Sequence, residues 1–251
     1  MTNSARITVM GATGQVGAKV VELLQNAGHQ VVAASRSTGA DVLTGAGLAD
    51  ALAGADILID VTNSPSFDDE PVLDFFTRST ANLTAAAADA GVGHYVALSI
   101  VGADGLPESG YMRAKVVQER TIVGSGLPYT IVRATQFHEF AEVITGSLIV
   151  DGEVRAPDAL IQPIAVSDVA EQVARVAQDP PRGGIVNIGG PEKMSFADLA
   201  RAVVQRQGGG QRVVVDPQAT YFGTPVHADS LVTGDDGILA GTRFGDWSAG
   251  R

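Results

Sequence analysis

Ile7-Thr8-Val9-Met10-Gly11-Ala12-Thr13-Gly14-Gln15-Val16-Gly17 decides how this chain folds: an apolar strand runs into three glycines spaced three apart, and residues 18–26 continue as an amphipathic stretch. The glycines allow a tight turn, a backbone close enough to touch a ligand, and close packing of the next helix on the sheet. A helix opening near Gln15 offers unpaired N–H groups and the positive end of its dipole to a pyrophosphate. A second β-like run, residues 29–34, completes the βαβ unit that such a turn requires. The stretch reads as a dinucleotide site, with Gly11, Thr13, Gly14, Gln15, Val16 and Gly17 against the phosphates.

The end of the second strand distinguishes between dinucleotides. An Asp or Glu there would grip the adenosine ribose hydroxyls of NAD; this chain has Ser35-Arg36-Ser37 instead. Arg36 is a planar cation with several donors suited to a 2′-phosphate, and the flanking hydroxyls add to it. The expected cofactor is NADP(H), held at this end by Ser35 and Arg36.

Composition bounds the rest. A chain of 251 residues, 45% apolar, can bury a full core as one domain or one domain with a small annex. The net charge of −11, without a basic stripe, argues against nucleic acid as a partner. Without cysteine there is no disulfide, thiolate nucleophile or thiolate metal site. His29, His94, His138 and His227 lack metal-ligand spacing, so no metal is expected. No apolar run approaches the length of a membrane span, and the first ten residues do not read as a secretory signal. The expectation is a cytoplasmic protein with a small-molecule substrate and no membrane partner; a homo-oligomer is compatible with the sequence.

Strand-like and helix-like runs alternate to residue 135. Strands are expected at 55–61, 94–99 and 128–133, with helices at 70–90 and 111–123. Near-continuous apolar strands separated by helices predict a doubly wound parallel α/β sheet, a Rossmann fold. Beyond 135 the alternation loosens: helices at 137–145, 167–178 (capped by Ser167) and 195–206 (capped by Ser195, with Asp198 at capping-box spacing), and strands at 148–150, 185–188 and 213–215. Residues 136–251 read as a substrate-covering region interleaved with the core of residues 1–135. No repeat is visible, and 216–251 shows no clear element.

In such sheets ligands lie beyond the carboxyl ends of the strands. There Tyr111 and Lys115 stand four apart, on one helix face if the segment is helical, and Ser99 ends a strand twelve residues earlier. A free tyrosine has a pKa of about 10, too high for efficient proton exchange near neutrality. A neighbouring ammonium and an oxidised nicotinamide both favour the phenolate. Tyr111 would then pass a proton to a carbonyl oxygen as hydride reaches carbon, Ser99 would hydrogen-bond that oxygen, and Lys115 would hold the nicotinamide ribose.

Gly11-x-x-Gly14-x-x-Gly17 with Ser99 and Tyr111-x-x-x-Lys115 resembles the short-chain dehydrogenase/reductase superfamily, in the extended and atypical branches where nucleotide-sugar epimerases and NmrA-like proteins belong. The resemblance covers residues 5 to about 190. It implies catalytic roles for Ser99, Tyr111 and Lys115, and it places Ala134-Thr135-Gln136-Phe137 beside the nicotinamide and substrate. Many NmrA-like members lack the tyrosine and act as redox-sensing binders or as reductases without this acid; retention of Tyr111 and Lys115 favours chemistry.

The resulting expectation is an NADP(H)-dependent oxidoreductase that reduces a carbonyl or related C=N group of a small, largely apolar substrate. The alternatives are a redox sensor that binds NADP(H) without turnover and a sugar-nucleotide epimerase or dehydratase, the latter disfavoured because only about 115 residues follow the core. Smaller signals fit this frame. Asn63 follows the third strand toward the cofactor, and Gln136, Phe137 and Phe140 are candidates for the substrate pocket. His138 is expected at the surface, Asp68-Asp69-Glu70 answers a helix dipole, Tyr221 and Phe222 would close the pocket, and Trp247 would anchor the tail.

Overall fold

The computed structural model describes residues 4–250. The first half of the chain alternates as expected: β1 (Arg6–Met10), α1 (Gln15–Asn26), β2 (Gln30–Ala34), the short α2 (Leu48–Leu52), β3 (Ile57–Asp60), α3 (Asp69–Asp89), β4 (His94–Ile100), α4 (Gly110–Gly124) and β5 (Tyr129–Ala134). The second half is cut finer, with α5 (Ala141–Ser147), β6 (Ile149–Val150), β7 (Glu153–Ala156), β8 (Leu160–Ile161), α6 (Val166–Gln178), β9 (Gly184–Gly189), β10 (Met194–Ser195), α7 (Phe196–Arg206), β11 (Val213–Val215), β12 (Ile238–Leu239) and α8 (Phe244–Ala249).

Seven strands form the central sheet in the order β12-β9-β5-β4-β3-β1-β2, and every neighbouring pair is parallel. This is a Rossmann-like α/β fold. Because β2 lies on one side of β1 and β3 on the other, the strand order reverses at β1, and the crevice beyond the strand ends opens there. One sheet face is closed by α1 and α6, whose Val16, Val20, Leu24, Val169 and Val173 pack on Ile7, Val9, Val96, Val132 and Ile188. The other is closed by α3 and α4, which pack on each other, α3 burying Val72, Phe75, Phe76 and Leu83.

Two strands from beyond residue 135, β9 and β12, return to this sheet, so the second half of the chain is woven into the core. The remaining short strands pair as β10 with β8 and as β11-β7-β6, and α7 lays Phe196, Leu199 and Val203 over them. Ser195 caps α7 as expected, accepting from the Asp198 N–H at 3.0 Å. Ser167 does not cap α6. The helix starts one residue earlier behind Ala165, and Ser167 turns to the neighbouring Asp168. Asp168 is committed to the tail, accepting from the backbone N–H and hydroxyl of Thr242 at 2.9 and 2.7 Å.

Candidate functional site

Gly11 and Gly17 shape the turn above β1. Gly11 has φ +88°, which L side chains rarely adopt, and a Cβ there would meet the Val61 carbonyl at 2.9 Å. A Cβ on Gly17 would sit 2.1 Å from the Gly11 oxygen, so α1 can pass this close only without one. Gly14 occupies the N-cap of α1, no side chain fills the cap, and no acidic residue stands in the first turn. The leading N–H groups and the positive helix end are left for an anion. Thr13, Gly14 and Gln15 are exposed, whereas the Val16 side chain is in the core, so Val16 offers a ligand its backbone alone.

At the end of β2 the chain enters a single 3-10 turn, Arg36–Thr38. Ser35 is buried and tied to its neighbours: its N–H donates to the Thr38 hydroxyl at 2.8 Å, and its own hydroxyl lies 2.8 Å from that of Ser37. Arg36 is exposed, and among the described residues its guanidinium has no hydrogen bond or ion pair. A stiff turn thus presents one uncommitted cation beside the crevice. These observations fit a dinucleotide: a cradle kept free of Cβ atoms, an open helix end and a free guanidinium at the ribose end.

Above β3 and β4 stands Tyr111. Its hydroxyl donates to Asn63 Oδ1 at 3.1 Å, and its half-buried ring packs against Phe76 (6.1 Å between centroids) and Phe67 (5.4 Å). Burial pushes the phenol up to about 12, with the Asn63 hydrogen bond pulling the other way. Lys115, one turn on in α4, is buried. Its ammonium donates to the Leu98 carbonyl at 2.8 Å and to Gln118 Oε1, and it lies over the Phe76 ring at 4.4 Å. Burial lowers its pKa to about 8, against the opposing pull of Asp60 and Glu119.

The expected convergence of Ser99, Tyr111 and Lys115 is not what the structure holds. Ser99 pairs in register with Arg133 of β5, and its hydroxyl donates to Glu119 Oε1 at 2.5 Å, one helical turn beyond Lys115. Glu119 and Arg133 form a buried two-pronged ion pair at 2.9 and 2.7 Å, and Arg133 reaches on to Asp104. The Ser99 proton is thereby spent on a carboxylate. Lys115 likewise turns to the β4 backbone, and the phenol is raised where the sequence leads one to expect it lowered.

The substrate side is aromatic. Phe140 is exposed and stacks on Phe137 at 5.9 Å, and Phe137 also packs on the core that α1 and α6 form with the sheet. Gln136 is 4% exposed, yet among the described residues neither atom of its amide has a hydrogen-bond partner. Tyr221 packs on Phe196 and on the same apolar cluster as Tyr111, and the two phenols sense each other: burial pushes Tyr221 up and Tyr111 adds to it. Phe222 next to it is exposed and has φ +48°. His138 is buried, contrary to expectation: α8 lays Phe244 and Trp247 against it, each ring 5.2 Å away, and burial lowers its pKa. Trp247 holds the tail in this way, with Arg206 over its ring. Among the described residues there is no cluster fit to hold a metal, and no helix is long and apolar enough to cross a membrane.

Sequence reasoning missed Asp60, Gln118, Glu119 and Arg133. A carboxylate closing an otherwise apolar strand, and polar residues three and four places after Lys115, were the available signals.

The NAD(P)H-binding family matches residues 11–180, and the chain belongs to it. It is 31% identical over 207 residues to the (4-alkanoyl-5-oxo-2,5-dihydrofuran-3-yl)methyl phosphate reductase of Streptomyces griseus subsp. griseus, covering 75% of this chain and 69% of that one. It is 27% identical over 146 residues to the photosystem II assembly factor Ycf39 of Synechocystis sp., covering 53% and 45%. Among solved structures, MoeE5 in complex with UDP-glucuronic acid and NAD superposes with a TM-score of 0.72 at 20% identity over 97% and 96% of the two chains. A dTDP-4-dehydrorhamnose reductase from Clostridium acetobutylicum gives 0.69 at 18% over 92% and 90%. Both share the fold.

Proposed function

We propose that this protein is an NADPH-dependent reductase acting on a carbonyl, or a related C=N group, of a small and largely apolar substrate. The observation that carries the proposal is Tyr111: a phenol at the mouth of the dinucleotide crevice, held through Asn63 and packed against Phe67 and Phe76, with the Tyr221 phenol close enough to sense it. When bound, the reduced nicotinamide supplies the hydride. Tyr111 gives its proton to the oxygen that becomes the alcohol, Asn63 orients the phenol, and the aromatic walls exclude water. We assign Lys115 to the nicotinamide ribose, a role that requires its ammonium to turn from the Leu98 carbonyl and Gln118. The reductase from S. griseus supports reduction as the reaction type.

Ion pairing supports an apolar substrate over a sugar nucleotide. In the covering region Arg155, Arg206, Arg212 and Arg243 are each matched with a carboxylate, which withdraws four cations from those that could meet a diphosphate. Arg36 supports NADPH over NADH, because it is exposed and uncommitted just after β2 and its planar cation suits a 2′-phosphate.

The test is NADPH oxidation across a panel of aldehydes, ketones and quinones. Tyr111→Phe is expected to lose about 100-fold or more in turnover with whichever compound reacts, and to keep NADPH affinity within about twofold. Wild-type turnover by that variant would refute the role of the acid. Arg36→Ala should weaken NADPH about tenfold or more and leave NADH nearly unchanged; equal losses would refute the 2′-phosphate role. The commitment of Lys115 to Leu98 and Gln118 favours a second reading, an NADP(H)-binding sensor. Its signature is different affinity for NADPH and NADP⁺ with no turnover across the panel.

A further inference from the structure

Beneath Tyr111 and Lys115 lies a carboxylate with no role so far. Asp60 closes β3, is 1% exposed, and accepts four hydrogen bonds. Its Oδ1 takes the Thr62 N–H at 3.0 Å and the Thr62 hydroxyl at 2.7 Å; its Oδ2 takes the Tyr95 hydroxyl at 3.0 Å and the Gln118 amide N–H at 3.1 Å. A buried carboxylate is tolerated only when its lone pairs are met in this way. Two of those partners lead to the site. Gln118 uses its other amide atom to accept from the Lys115 ammonium. Thr62 precedes Asn63, the residue that accepts the hydrogen bond of the Tyr111 hydroxyl.

We infer that Asp60 is the positioning residue of the site, one buried anion that holds Lys115 through Gln118 and, through Thr62, fixes the loop from which Asn63 holds Tyr111. The inference rests on the reading of Tyr111 and Lys115 as the reacting pair. Its physical content is a shared support. A Gln amide is neutral and can face either way, but with Asp60 accepting from its nitrogen, its oxygen must face Lys115. The same anion favours the ammonium over the amine across that amide. The groups that face Lys115 are Asp60 from β3, Gln118 and Glu119 from α4, the Phe76 ring from α3 and the Leu98 carbonyl from β4, with Arg133 of β5 neutralising Glu119 from behind. Glu119 is already engaged by Arg133 and Ser99, which leaves Asp60 as the carboxylate aimed at the lysine.

The chain's three lysines and four tyrosines make the test direct. In protein carrying ¹³C-lysine and ¹³C-tyrosine, NMR follows the titration of Lys115 and the ring signal of Tyr111, each assigned by its absence in Lys115→Met or Tyr111→Phe. Asp60→Asn is expected to lower the Lys115 midpoint by about one pH unit or more and to shift the Tyr111 signal. Gln118→Met, which cuts one arm only, should move Lys115 and leave Tyr111 in place; Thr62→Val should do the reverse. If Asp60→Asn does not fold, the two single-arm variants decide. A Lys115 midpoint unchanged in Asp60→Asn or Gln118→Met overturns the inference, as does a Tyr111 signal unmoved in Thr62→Val. NADPH titration of the same samples separates the two proposals. Lysine and tyrosine shifts in a protein that binds no NADPH keep Asp60 in its role and remove the reductase.

Discussion

The two ends of the crevice are built from different materials. At the phosphate end the working parts are backbone: the Gly11 turn, the open N-terminus of α1, and the close pass of Gly17 under the Gly11 carbonyl. At the reacting end they are side chains from α4 and three strands, tied together by buried hydrogen bonds among Asp60, Tyr95, Gln118, Lys115, Ser99, Glu119 and Arg133. A backbone site is specified by where side chains are missing, and a side-chain site by which partners each polar group finds. The first tolerates almost no added atom, and the second almost no lost partner.

Gly17→Ala tests the backbone end and should have the largest effect on cofactor binding. Helix propensity alone favours alanine over glycine within a helix by about 1 kcal/mol. Against that stands a Cβ 2.1 Å from a main-chain oxygen, where nothing flexible can yield. The clash is expected to win, with about 2–3 kcal/mol lost in urea denaturation and NADPH affinity down by about 100-fold or more. Gly14→Ala is the control in the same motif: its φ of −79° suits any residue and its Cβ would stand 3.3 Å from the same oxygen, so it should cost under about 1 kcal/mol. If the two alanines behave alike, the close pass at Gly17 is not what shapes the turn.

Arg133→Met tests the other end by subtraction. Both side chains of the Glu119–Arg133 pair are about nine-tenths buried, and Glu119 would be left as an uncompensated charge. The expected cost is about 3–5 kcal/mol, read by urea denaturation, with most of it recovered when Glu119→Met is added. The exposed pair Arg78–Asp74 is the contrast, and Arg78→Met should cost under about 1 kcal/mol. Equal losses for the buried and exposed variants would mean that the framework under the reacting end carries no more weight than surface charge.

The same difference explains what could be read from the sequence. Glycine spacing and strand–helix alternation are local, so β1 through β5 fall within about two residues of their expected bounds. The short strands β7, β8, β10 and β12 have too few residues to show a period, and each exists because a distant partner pairs with it. Tyr111 and Lys115 were legible as a helical pair because helix geometry is local as well. The direction in which Lys115 and Ser99 turn was not, since Asp60 lies 55 positions before the lysine and Glu119 lies 20 after the serine. His138 shows the same limit, being buried by α8 from the far end of the chain.

Ser99→Ala should have little effect on turnover and separates the sequence reading from the geometry. As the group that hydrogen-bonds the substrate oxygen, Ser99 would be worth a loss comparable to that of Tyr111→Phe. As found, its one proton goes to Glu119, which keeps two hydrogen bonds from Arg133 when the serine hydroxyl is removed. The geometry therefore predicts a stability loss of about 1–2 kcal/mol and turnover within about threefold of wild type, with the compound identified for the Tyr111 test. A loss of 100-fold instead would require the hydroxyl to leave Glu119 and face the substrate during turnover. Arg133 would then be the single strong partner of Glu119 in the reacting state, and Arg133→Met, combined with Ser99→Ala, would show coupled rather than additive effects on turnover.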